Sequence, residues 1–146
     1  MNREIKFRGF WYSLNGKINS VVGDLTVIRN RDKSHFYPKG SKDGDCYISN
    51  QYGGAYAYQV IPESAGQFTG QYDKNGKEIY EGDMLSHEDD DGICIEEVLW
   101  DNENACFCLK DLLDCETLPF DEYFIDEFIV SGNIHENSEL LKGELK

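Results

Sequence analysis

The sequence lacks the features that would name an activity at sight. It has no G-x-x-x-x-G-K-[ST] run, no G-x-G-x-x-G and no G-x-S-x-G. A phosphate cradle, a dinucleotide turn and a nucleophile elbow are therefore not expected. No 18 consecutive apolar residues occur, so no membrane-spanning helix is expected. The charged start, Met1-Asn2-Arg3-Glu4-Ile5-Lys6, runs into no apolar stretch. A signal peptide is not expected, and the compartment expected is the cytoplasm of a host cell.

Metal and thiol chemistry are equally thin. The five cysteines are Cys46, Cys94, Cys106, Cys108 and Cys115. An odd number with no export signal argues against a disulfide framework. Cys106-x-Cys108 puts both thiols on one face of a strand, but a zinc site would need a second pair. Buried, reduced thiols are the expectation. As nucleophiles, Cys94 or Cys106 would need a base and a lowered pKa. With Gly92 at the sixth position of a calcium loop, His87 falls first and Val98 twelfth. With Gly76 there, Gln71 and Gly82 take those places, and neither set coordinates calcium. His135-Glu136-Asn137-Ser138-Glu139 lacks the second His of a zincin. His35, His87 and His135 are expected singly at the surface. His87 with Glu88, Asp89, Asp90 and Asp91 is the one place for a weakly held divalent ion, and a flexible carboxylate loop is the plainer expectation. No catalytic, cofactor-binding or metal-binding residue is assigned, no cofactor is expected, and the chain is expected not to be an enzyme.

What is present is core-forming and acidic. The chain of 146 residues is 40% hydrophobic and 13% aromatic, too rich in core formers for disorder. Its formal net charge is −14, unevenly spread. Residues 1–62 hold nine basic and five acidic residues, a net of +4. Residues 63–146 hold five basic and 23 acidic ones, a net of −18. Such a surface repels phosphate, so direct nucleic-acid binding is not expected. A basic site around Arg3, Lys6, Arg8, Trp11 and Tyr12 stays open as a lesser alternative.

The hydrophobic pattern is that of strands. Ile5 to Tyr12 alternates, Asn15-Gly16 marks a hairpin turn, and Ile18–Val22 returns. A further β run covers Asp24–Arg29. Residues 30–46 read as a polar loop. Tyr47–Ile61 reads as strand broken at Gly53-Gly54, rich in tyrosine at 47, 52, 56 and 58. Ordinary strand packing explains these rings, and a partly wet interface is the alternative. Composition and charge change at 62/63, dividing the chain into residues 1–62, an N-terminal β subdomain, and 63–146. In the second part Asp73-Lys74-Asn75-Gly76-Lys77 is a tight turn, Gly82-Asp83 leads into a strand, and Glu88–Gly92 is an acidic loop. Strands follow at Ile93–Trp100 and Ala105–Leu109. Phe120–Phe128 reads as a loop or short helix before a strand over Phe128–Ile134. Asn137 is placed to cap a helical turn over residues 138–142. Short strands joined by tight turns predict a small barrel.

The run Gln67-Phe68-Thr69-Gly70-Gln71-Tyr72-Asp73-Lys74-Asn75-Gly76-Lys77-Glu78-Ile79-Tyr80-Glu81-Gly82-Asp83 resembles the signature of YopX-like proteins. Lys6-Phe7-Arg8-Gly9 at the start, Val98-Leu99-Trp100-Asp101, and Gly132-Asn133-Ile134-His135-Glu136-Asn137 near the end resemble the same family, so the likeness covers nearly the whole chain. It implies a phage or prophage protein of low-GC Gram-positive hosts. It also implies an SH3-like barrel in the second part with β structure before it, self-association, and no established activity. Ser138 stands where relatives often carry Pro. The fold class expected is mainly β: an N-terminal β region, then an SH3-like small barrel, with one or two short helices. The function expected is a non-enzymatic interaction module that self-associates as a homo-oligomer. The alternative is an acidic inhibitor that mimics nucleic acid and binds a host nucleic-acid-handling protein.

Overall fold

The computed structural model describes residues 4–29, 40–50, 56–120 and 125–137. The chain forms two compact units, residues 2–67 and 68–146. Both are built from antiparallel strands, and among the described residues each carries one turn of 3-10 helix. Among the described residues no helix is long and apolar enough to cross a membrane.

The first unit carries β1 (Phe7–Tyr12), β2 (Ile18–Val27), β3 (Cys46–Asn50) and β4 (Tyr56–Val60), in the order β4-β3-β2-β1. The β1–β2 turn forms where Asn-Gly foretells it. Gly16 takes a φ of 81°, a region closed to most side chains. The Asn15 amide oxygen accepts the Lys17 N–H at 3.2 Å and the Ser13 hydroxyl. The break expected at Gly23 is absent, because β2 runs ten residues straight through it. A Cβ on Gly23 would lie 2.0 Å from the Ser49 carbonyl oxygen. The glycine thus marks a close approach between strands rather than an interruption.

Gly9 has a parallel role. A Cβ there would meet Val60 at 2.8 Å, and the Ile61 N–H reaches the Phe10 carbonyl at 2.8 Å. The sheet therefore curls until the end of β4 touches β1. Val21, Cys46, Ile48 and Val60 form its core, with Phe7, Trp11, Leu25 and Val27 against them. On the other side of β1, Phe10 is fully buried and the Arg8 guanidinium lies 5.0 Å above its ring. Ser64, in the 3-10 turn Pro62–Ser64, accepts the Phe10 N–H at 2.9 Å.

β5 (Gly66–Tyr72) changes partner at the boundary: Gly66 and Gln67 pair with β1, while Phe68 and Tyr72 pair with β6 (Glu78–Tyr80). The rest of the second unit is β7 (Asp83–Asp89), β8 (Gly92–Asp101), β9 (Cys106–Asp111), β10 (Thr117–Pro119) and β11 (Ile129–Asn133). Their order is β10-β9-β8-β7-β11. The sheet is barrel-like but not closed. Ile79, Leu85, Val98, Leu109, Ile125 and Phe128 form the core, with Phe120 and Val130 packed on it. Each such fully buried aliphatic side chain contributes about 1.5–3 kcal/mol.

Three details differ from the sequence reading. Glu88–Gly92 is not a loose loop: Asp89 pairs with Gly92 across β7 and β8, leaving only Asp90 and Asp91 in the turn. Thr117–Pro119 is a strand that the pattern did not reveal, since three residues are too few to show alternation. Within Phe120–Phe128, Ile125–Glu127 is one 3-10 turn, Phe128 is core, and the strand begins at Ile129. Most of the 30–46 loop, the Gly53-Gly54 break, Arg3, His35, Tyr52 and the turn over 138–142 lie outside the described residues.

Candidate functional site

The signature segment is the first place to look for chemistry, and its polar residues are occupied in holding backbone. Asp73 is buried. One carboxylate oxygen accepts the N–H groups of Asn75 and Lys77, each at 2.8 Å, and the other accepts Val130 N–H at 3.0 Å. Burial alone would push its carboxyl up, yet the donors from Val130, Lys77 and Asn75, with the Lys77 charge, hold it below the ordinary carboxylate range. One side chain thus closes the β5–β6 turn and ties it to β11, 57 residues on. Asp83, almost fully buried, accepts Tyr80 N–H at 2.8 Å, and Gly82 between them takes a φ of 90°. Phe68, Ile79, Tyr80 and Met84 are all core. The closing Gly132–Asn137 run is alike: the Asn133 side-chain oxygen accepts His135 and Glu136 N–H, and its amide reaches the Glu136 carboxylate at 2.8 Å.

The acidic hairpin tip places His87 and Asp89–Asp91 close in sequence without gathering them into a ligand set. Among the described residues no three His, Cys, Asp or Glu side chains are grouped to hold a metal ion. His87 packs on Phe128, ring centroids 4.5 Å apart. Asp89 accepts Asp91 N–H at 2.8 Å and the Cys94 thiol at 3.2 Å. Those bonds hold its carboxyl low. The same Asp89 bond pushes the Cys94 thiol up to about 11, away from the thiolate that attacks electrophiles or binds metal. Burial pushes Cys46 and Cys108 up as well. All five cysteines are free thiols.

An open cleft of about 540 Å³ lies on the second unit. Phe107 and Phe120, centroids 6.0 Å apart, supply its apolar side, and Thr69, Gln71 and Asn104 its polar side. Trp100 stands edge-on to Phe107 at 5.0 Å. This arrangement can stack and hydrogen-bond, and among the described residues Cys106 is its one ionisable lining group. Sequence reasoning missed it because its walls come from three distant stretches with no shared spacing. A second exposed feature crosses β11, β7 and β8. The register sets Ile129, Ser86 and Ile95 in one row. Ile93, two positions along β8, shares that face and is 71% exposed. On the first unit Tyr58, 40% exposed, stacks on Trp11 with centroids 5.7 Å apart.

These features define a small, two-unit antiparallel β protein whose most distinctive sequence string builds turns. Residues 6–142 match the family described as YopX protein, and the chain belongs to that family. No curated protein matches it. Among solved structures it is similar to protein EF1440 from Enterococcus faecalis, at 25% identity and a TM-score of 0.50, over 94% of this chain and 98% of that one.

Proposed function

We propose that this protein is a non-enzymatic interaction module that associates with copies of itself, in the cytoplasm of a bacterial host and in a phage or prophage setting. The observation that carries the reading is the exposed ring of Tyr58 stacked on half-buried Trp11, on the part of the chain that is not strongly acidic. Aromatic rings at a surface supply large contact area at low entropic cost. Residues 1–62, at +4, can approach another copy where residues 63–146, at −18, repel their like. Light scattering coupled to gel filtration tests it. The expected result is a mass that is a multiple of the 16.8 kDa chain. A single-chain mass across the micromolar range contradicts it.

A second reading, an acidic inhibitor bound to a host nucleic-acid-handling protein, is favoured by one feature. Glu88, Asp89, Asp90 and Asp91 stand exposed together at the β7–β8 tip. Against it, Asp73 and Asp83 are buried in backbone capping, so the −18 overstates the charge available at the surface. Salt-sensitive retention of a DNA- or RNA-handling protein from host lysate would support it, and retention of none would remove it.

A further inference from the structure

The sequence holds two Asn-Gly steps, and lysine follows both: Asn15-Gly16-Lys17 and Asn75-Gly76-Lys77. Each closes a hairpin in the same way. In the β1–β2 turn Gly16 N–H donates to the Ser13 carbonyl and Ser13 N–H to the Lys17 carbonyl, both at 2.9 Å. In the β5–β6 turn Gly76 N–H donates to the Asp73 carbonyl at 3.0 Å, and Asp73 N–H to the Lys77 carbonyl at 2.8 Å. Gly16 and Gly76 take φ values of 81° and 82°, and Asn15 and Asn75 are both exposed. In chemistry and in turn shape the two steps match.

An Asn-Gly step carries a reaction of its own. The glycine nitrogen gives its proton to hydroxide and attacks the asparagine Cγ. A C–N bond forms, and the side-chain amide leaves as ammonia, taking its third hydrogen from water. Water then opens the cyclic imide at either carbonyl, leaving aspartate or isoaspartate. The sum is water consumed and ammonia released, with no redox change. Glycine permits the attack because no Cβ crowds its nitrogen. A closed turn opposes it, because a carbonyl holds the glycine N–H and the backbone must turn to bring nitrogen to Cγ. The rate therefore follows how often the turn opens.

The two turns differ in what opening costs. Among the described residues, the hydrogen bonds of residues 13–17 stay within residues 13–19. Asn15 Oδ1 accepts Lys17 N–H at 3.2 Å and the Ser13 hydroxyl, and the Asn19 amide reaches the Lys17 carbonyl at 2.9 Å. These bonds are exposed, so water replaces them at little net cost. The second turn is anchored from outside. The buried Asp73 carboxylate accepts Asn75 and Lys77 N–H within the turn and Val130 N–H from β11. Lys74 N–H donates to the Phe128 carbonyl at 2.8 Å. Opening here strips donors from a buried carboxylate, which is far more costly.

We infer that Asn15 is a site of spontaneous deamidation in the folded protein, and that Asn75, in the same tripeptide, is protected by Asp73. The inference stands apart from the self-association reading. Conversion of Asn15 adds a negative charge to residues 1–62, taking their net from +4 to +3. Isoaspartate also lengthens the main chain of the β1–β2 turn.

The test incubates full-length wild type and D73A in mildly alkaline buffer and follows deamidation at each peptide by mass spectrometry. Circular dichroism confirms the fold, and wild type in urea supplies the unfolded reference. The expected result is similar rates at the two sites in urea. In the folded wild type Asn15 should react faster than Asn75 by about tenfold or more. D73A should bring Asn75 towards the rate of Asn15 and leave Asn15 unchanged. Should D73A not fold, D73N, which keeps one carbonyl oxygen, is read with the same direction and a smaller change. Equal rates at the two sites in the folded wild type, or a slower Asn15, overturn the inference. A folded Asp73 variant in which Asn75 stays as slow as in wild type overturns the protecting role of Asp73.

Discussion

The two units solve the same problem, holding short antiparallel strands in register, by different means. In the first, strands are brought together by missing side chains: Gly9 and Gly23 let Val60 and the Ser49 carbonyl approach to distances that no Cβ would permit. In the second, turns are held by carboxylates. Asp73, Asp83, Asp89, Asp101, Asp111 and Asp114 each accept at least one backbone N–H. The β9–β10 turn shows the habit most fully. Asp111 accepts Leu113 N–H at 2.7 Å and Asp114 accepts Glu116 N–H at 2.8 Å, supporting Cys115 at a φ of 62°. A strongly negative sequence segment is therefore partly a folding device, since such Asx turns satisfy amides that short loops leave without a strand partner.

The difference can be broken from either side. The largest effect is expected from G23A. Its methyl would overlap the Ser49 carbonyl, and forcing β2 from β3 should cost about 3 kcal/mol, at the upper end of overpacking costs. The chain's two tryptophans, Trp11 and Trp100, fall one in each unit. Urea unfolding of G23A should therefore move the Trp11 transition most. D73A comes next. It removes the acceptor of three N–H groups, and unsatisfied buried donors cost about 1–3 kcal/mol each before water reaches them. A loss of about 2–3 kcal/mol at Trp100 is expected, with D73N, which keeps one carbonyl oxygen, losing less. The smallest effect concerns reactivity rather than stability. D89N removes the carboxylate that raises the Cys94 thiol to about 11. Peptide-resolved alkylation at Cys94 should then accelerate near pH 9, with its pH–rate profile shifted to lower pH.

Much of this architecture was legible beforehand. Alternation located β1, β8 and β9, and Asn15-Gly16 and Asn75-Gly76 located two hairpins, because both signals are local. The misreadings have non-local causes. Gly23 looked like an interruption because Ser49, the atom group it makes room for, lies in another strand. Asp73 read as a turn former, and nothing nearby announces its bond to Val130. On β8 both faces carry apolar residues, so the pattern could not show that buried Glu96 and Val98 share the core side while Ile93 stands exposed. The cleft beside Phe107 and the approach of β4 to β1 depend on which strands become neighbours, which periodicity does not encode.

Protonation reads the central contrast most directly. Asp73 has a folded pKa below its ordinary 3.8, so its contribution is fully present above that value and is lost as pH falls through the folded pKa. Asp89 and Asp101 are held low by their own hydrogen bonds and share that sign. Glu97, raised by burial, has the opposite sign and offsets part of the loss. The decisive measurement is urea unfolding at a series of pH values from 6 down to 3, in W100F to report the first unit and W11F to report the second. The account predicts that the midpoint read at Trp100 falls steeply as pH drops below about 4, while that read at Trp11 falls much less. Equal declines at the two tryptophans, or a steeper one at Trp11, would contradict the claim that carboxylates hold the second unit.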